Sequence, residues 1–136
     1  MSKTWTDAAL PVINEDGSWG FNARTVRWID GDTVVVDCLV DVGFEEMSTK
    51  RRSVRLIGVN TPENNSSDPA ERAKAHEATE YANTQIPAGT VVRVHIVKYD
   101  KYGGRDDGVV YTADGSNISD LLIVSGEGVP YDGGKR

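Results

Sequence analysis

Three short stretches gather the side chains with chemistry to offer. IDGDT sets Asp30 and Asp32 on either side of Gly31. If the backbone there is extended, both carboxylates point the same way. VRLIGVNTPE carries Arg55 inside an apolar run, then Asn60, Thr61 and Glu63 around Pro62. DKYGGR, Asp100 to Arg105, closes a β-rich run. Each has a plain structural reading when taken singly. Asp-Gly-Asp is a common turn, and Asp-Lys-Tyr-Gly-Gly suits a hairpin. A strand arginine is usually a surface or ion-paired group, and Thr-Pro-Glu commonly opens a helix. Taken together they offer more. Two carboxylates and an amide can hold a hard cation through oxygen. Two arginines can grip a phosphate bidentately, and Glu63 can take a proton from water. These are the parts needed for metal-assisted phosphodiester hydrolysis.

The elements around these stretches must position them. ARTVRWIDGDTVVVDCLVDV is rich in β-branched residues and is broken by the DGD turn. GFEEMSTKRRS reads as a polar loop, and Val54 to Val59 as a strand. Arg55, flanked by Val54 and Leu56, should leave the wall on the face opposite theirs. There it is expected to meet no buried partner except a ligand. The clearest helix follows Asp68, with Pro69 at its first position and Glu71 completing a capping box. Its inner stripe reads Ala70, Ala73, Ala78, Tyr81 and Ala82, and Pro87 and Gly89 end it. TVVRVHIVKYD and GVVYTADGSNI are β-rich, the second running into an Asp-Gly turn. Asn117 should cap a short helix, ISDLLIVS, stopped by Gly126, and VPYDGGKR reads as loop. Strands first and few crossovers predict a mainly β chain with helices (α+β). The expected form is a five-stranded OB-fold Greek-key barrel with two or three short helices; the alternative is an open α+β sheet. Residues 1–22 read as an N-terminal arm, 23–131 as the barrel domain and 132–136 as a tail.

Composition narrows the classes. With 136 residues, 38% hydrophobic and 26% charged, the chain suits one globular domain. The net charge of −6 argues against a protein that coats nucleic acid, though not against an enzyme using a few local cations. Cys38 is the single cysteine, so neither an internal disulfide nor a thiolate zinc cluster is available. It is expected to pack as a small apolar residue. The first residues lack the apolar core of a signal peptide, and no run is long enough to span a bilayer. A cytoplasmic location is the expectation, with a processed secreted form as the alternative.

IDGDT, RLIGVNTPE and DKYGGR, in this order, resemble the staphylococcal (thermonuclease-like) nuclease family. The similarity runs from about Ala23 to Tyr131. The resemblance implies an OB-fold barrel that cuts DNA and RNA with Ca²⁺. It makes Asp32 a calcium ligand, puts Asn60 where the family usually has a second aspartate ligand, and has Thr61 offer its backbone carbonyl. Asp30 would support Asp32 without touching the ion. Arg55 and Arg105 would hold the scissile phosphate, and Glu63 would act on the attacking water. Lys101, Tyr102 and Tyr131 would bind substrate. The ending PYDGGKR is similar to phage- or plasmid-associated members. Two departures stand out. Asn60 removes one ligand charge, which should weaken metal binding. The extra glycine in DKYGGR either shifts Arg105 or is absorbed by a bulge, and Asp106 and Asp107 either repel a phosphate or point to solvent.

The resulting expectation is a Ca²⁺-dependent, monomeric endonuclease acting on DNA or RNA, with no membrane partner. The rivals are a non-catalytic OB module that binds nucleic acid or protein, and an acidic accessory protein of a mobile element. No metal role is expected for His76 or His95. Lys50, Arg51 and Arg52 read as a solvated loop that could steer nucleic acid. Trp5, Trp19 and Trp28 read as packing residues, with Trp28 also a candidate for stacking bases.

Overall fold

A computed structural model of the chain describes residues 12–13, 19–43, 46–100, 102 and 104–131. Five strands make the barrel: β2 (Trp19–Asp30), β3 (Thr33–Gly43), β4 (Glu46–Leu56), β6 (Val91–Lys98) and β7 (Arg105–Tyr111). Their order around the wall is β2-β3-β4-β7-β6, and β2 pairs back onto β6 to close it. Among the described residues, β4 and β7 are the only parallel pair. A short β1 (Val12–Ile13) adds to the start of β2. Two helices complete the mainly β, OB-type architecture: α1 (Pro69–Gln85) and α2 (Ile118–Val124).

Alternation decides which side chains fill the barrel. Val34, Val36 and Cys38 of β3 face in, as do Val54 and Leu56 of β4 and Val92, Val94 and Ile96 of β6. Trp28 is also inside, its indole N–H donating to the Ile86 carbonyl at 3.0 Å. It is therefore a core residue and presents no face for stacking a base.

The stretch read as the loop GFEEMSTKRRS is mostly strand, since β4 begins at Glu46 and pairs with β3 along its length. Its basic residues obscured this, because they have partners across the wall. Arg51 bonds Asp37 of β3 on the surface, and Arg52 is buried against Asp106 of β7. The tail is likewise not all loop. β8 (Val129–Pro130) pairs with β5 (Val59–Asn60), and the Tyr131 N–H donates to the Gly58 carbonyl at 3.1 Å.

The Asp68 side chain caps α1 by accepting from the Ala70 N–H. Glu71 takes the Ser66 hydroxyl, and the Asp68 N–H goes to Ser66, so the capping box is relayed through a serine. The buried stripe of α1 is Ala75, Ala78 and Ala82, while Ala70 and Ala73 are exposed. These small side chains let the helix press on the β2–β3 turn. A Cβ at Gly31 would come within 2.9 Å of the Ala78 Cβ. Asn117 caps α2 as expected, accepting from the Ser119 N–H at 2.9 Å. No helix among the described residues is long and apolar enough to cross a membrane.

Candidate functional site

The end of the barrel where β2, β4 and β7 meet opens into a cleft of about 680 Å³. Asp30 enters it from the end of β2, Asp32 from the following turn and Arg55 from β4. Arg105 and Asp107 come from β7, with Glu63 and Tyr131 from the segments after β5 and β8. Residues remote in sequence are thus brought to one wall. The parallel register sets Ser53 beside Arg105 and Arg55 beside Asp107, so the outward faces of β4 and β7 are continuous.

Arg55 is held far more tightly than its place on a strand suggested. Its Nη1 donates to the carbonyls of Leu56 (2.5 Å) and Val59 (2.9 Å), and its Nη2 to Asn60 Oδ1 at 2.6 Å. The same Nη2 lies 3.4 Å from Asp32 Oδ2, and only 12% of the side chain is exposed. The Tyr131 ring centroid is 5.8 Å from the guanidinium carbon. The expectation that a ligand would be its sole buried partner is therefore wrong. The cause is the turn from β4 into β5, whose flanking Leu56 and Val59 carbonyls fold back over the arginine.

Asp32 is buried and hydrogen-bonded. Its Oδ2 accepts the Thr61 N–H at 2.9 Å, and its Oδ1 accepts the Thr33 hydroxyl at 3.2 Å. Asp30 Oδ1 accepts the Asn64 N–H at 3.0 Å. The Asn64 side-chain amide bridges the Ile29 carbonyl and the Thr79 hydroxyl of α1. Asn64, which the motifs did not mark, thereby ties the loop carrying Glu63 to β2 and α1. Glu63 itself is exposed at the cleft.

Asn60 and Thr61 border a separate hollow of about 440 Å³ between α1 and the segment after α2. Through Arg55, however, Asn60 Oδ1 and Asp32 Oδ2 both lie within 3.4 Å of one nitrogen. The buried Thr61 Oγ1 has no hydrogen-bond partner. Carboxylate and amide oxygens suit a hard cation in kind, but here Asp32 Oδ2 and Asn60 Oδ1 already face the Arg55 guanidinium, and the Thr61 hydroxyl is an oxygen left without a partner. Among the described residues no three His, Cys, Asp or Glu side chains converge, so neutral oxygens would have to contribute.

Tyr102 is exposed beside the cleft, in an adjoining hollow of about 570 Å³ that shares Arg105 and Asp107 with it. Lys101 lies outside the described residues. The extra glycine leaves Arg105 at the first position of β7, inside the cleft. Asp106 neither faces a phosphate nor points to solvent, since it is buried on Arg52. Asp107 does line the cleft. Sequence offered no sign of the Arg52–Asp106 contact, because its partners are 54 positions apart and meet only through the parallel register.

Residues 53–132 match the family described as staphylococcal nuclease homologue. The chain is also 29% identical over 122 residues to an Escherichia coli protein described as an uncharacterized endonuclease. A protein of the same description from Escherichia coli O157:H7 matches equally well. The match covers 90% of this chain and 66% of either relative, so the chain spans just under two thirds of their length. The family match takes in β4's cleft face, all of α1 and the β7 wall, well over half of the sequence, and on this ground the chain belongs to the staphylococcal nuclease homologue family.

Proposed function

We propose that the chain is a Ca²⁺-dependent endonuclease that hydrolyses phosphodiester bonds of DNA, RNA or both, as a monomer. The observation that carries this reading is that Arg55, Arg105, Glu63 and Asp32 line one open cleft. Endonuclease is also the description of both Escherichia coli relatives.

The phosphate binds between Arg55 and Arg105, whose charges compensate the negative charge that grows on the phosphoryl oxygens. Glu63, exposed at the cleft, takes the proton of the attacking water as the new P–O bond forms. Asp32, Asn60 and Thr61 would hold the cation, which when bound adds positive charge beside the phosphate. Asp30 steadies the neighbouring loop through Asn64, and Tyr131 backs the guanidinium of Arg55. Tyr102 and Lys101 contact the nucleotide beyond the scissile bond.

A second reading, a barrel that binds nucleic acid without cutting it, is favoured by one feature. Asn60 brings no charge, and its oxygen is already bonded to Arg55. Incubating single-stranded DNA with the protein separates the two. Cleavage with Ca²⁺ that stops with chelator supports the enzyme; binding without cleavage supports the module.

A further inference from the structure

The most deeply buried charge among the described residues, Asp106, and its partner Arg52 lie outside this machinery. Arg52 and Asp106 have side chains 8% and 2% exposed. Arg52 Nε donates to Asp106 Oδ2 at 2.8 Å and Nη2 to Asp106 Oδ1 at 2.5 Å, a bidentate pair. The bond to Asp106 raises the guanidinium pKa further, so Arg52 stays charged. A buried ion pair is a poor way to gain stability. Two charges are costly to desolvate, and apolar residues of similar volume commonly serve as well or better. Its geometry points to another use.

Both partners also bind the backbone of Asp100, the second residue after β6. Arg52 Nη2 donates to the Asp100 carbonyl at 3.0 Å, and Asp106 Oδ1 accepts the Asp100 N–H at 2.8 Å. The pair thus holds both polar groups of one residue at the mouth of the DKYGGR loop. Asp100 in turn shapes that loop. Its Oδ1 accepts the Tyr102 N–H at 2.9 Å, and a Cβ at Gly104 would collide with its carboxylate. The second glycine is therefore the residue that lets the loop close over Asp100. On its other side the Arg52 guanidinium lies 4.6 Å from the centroid of the Tyr99 ring. Tyr99, Asp100, Tyr102 and Arg105 all line the hollow that continues the cleft.

We propose that the Arg52–Asp106 pair is a positioning device: it clamps the longer loop at Asp100 so that Tyr102 and Arg105 are presented to a bound polynucleotide strand. Neither residue reaches the substrate. This rests on the nucleic-acid-cleaving reading above, and it predicts that stability and substrate handling can be separated. A buried charge left alone is strongly destabilising, whereas an apolar pair is not. Arg52→Met or Asp106→Leu alone should lower Tm by roughly 10 °C or more. The double variant Arg52→Met/Asp106→Leu should recover most of that loss. Its loop should nevertheless remain loose, with amide exchange at Asp100 and Tyr102 faster by about tenfold or more. KM for single-stranded DNA should rise about tenfold as Tyr102 is misplaced, and kcat should fall as Arg105 is.

A double variant with wild-type stability, exchange and KM overturns the proposal. If the double variant does not fold, Arg52→Lys decides. It keeps the charge but offers one nitrogen where Arg52 uses two, so a raised KM supports the clamp and an unchanged KM overturns it. If the wild type does not cleave, the enzyme reading fails separately. The clamp is then read from the anisotropy of a labelled twenty-nucleotide oligothymidylate without divalent cation. Binding about tenfold weaker in the variant supports it; equal binding, or none by the wild type, overturns it.

Discussion

Replacing Arg55 with alanine should damage the fold as well as any activity. The guanidinium bonds two peptide carbonyls and the Asn60 amide oxygen and lies 3.4 Å from Asp32, with only 12% of the side chain exposed. Removing one partner of a buried ion pair typically costs 3–5 kcal/mol, because the remaining charge keeps its desolvation penalty. Here the cleft admits water, which can replace part of what the carbonyls lose. The expected cost is therefore nearer about 3 kcal/mol, or roughly 10 °C in Tm for a chain of this size. Urea unfolding followed by the fluorescence of buried Trp28 measures it, with the m-value checked for constancy. A loss below about 1 kcal/mol would mean that the contacts around Arg55 contribute little and that its place in the wall is purely for a ligand. Activity lost by Arg55→Ala is ambiguous by itself. It becomes interpretable only when the folded fraction has been measured under the assay conditions.

Glu63→Gln is the cleaner probe of chemistry. The side chain is exposed, so stability should change by less than about 1 kcal/mol, while the cleavage rate falls by about two to four orders of magnitude; equal rates would remove Glu63 from the mechanism. Asn60→Asp should tighten Ca²⁺ binding by about 1 kcal/mol. A new charge some 4 Å from a divalent ion is worth about 2 kcal/mol in water, and Arg55 absorbs part of it. Calorimetric titration giving equal affinities would show that Asn60 is no ligand. Deleting residues 1–18 should leave a cooperative thermal transition. Deleting 1–22 also removes the buried Phe21 and the pairing of Trp19–Asn22 with β6, so it should cost about 3–5 kcal/mol. Indistinguishable melting curves for the two truncations would place the start of the barrel after residue 22. The Cys38 thiol is pushed up to about 12, mainly by burial and then by Asp106 and Asp37. Below pH 9 both folded and unfolded thiols are protonated and stability is unaffected. Between 9 and 12 only the unfolded thiol ionises, so stability falls by up to about 1.4 kcal/mol per pH unit. Cys38→Ala should lack that component, and parallel pH profiles for the two proteins would contradict the burial.

The features that were legible in the sequence are the local ones. Asp30 and Asp32 flank a turn because Gly31 alone fits beneath Ala78. The OB barrel follows from β-branched runs that alternate in burial, and both helix caps are written in their own residues. The features that were hidden depend on register between strands. β4 looked like a loop because a run of Lys50, Arg51 and Arg52 looks solvated, yet alternate residues of a strand face opposite sides. Arg51 therefore meets Asp37 outside while Arg52 meets Asp106 inside. A shift of one residue between β4 and β7 would turn Asp106 out towards the cleft and Asp107 in. The extra glycine of DKYGGR made that shift a real alternative on paper. The register is fixed instead by charge. A buried Arg52 accepts only an inward carboxylate, Asp106 supplies it, and Arg105 and Asp107 are left on the cleft face. The ion pair and the position of Arg105 are thus one structural decision, made by residues that no local motif connects.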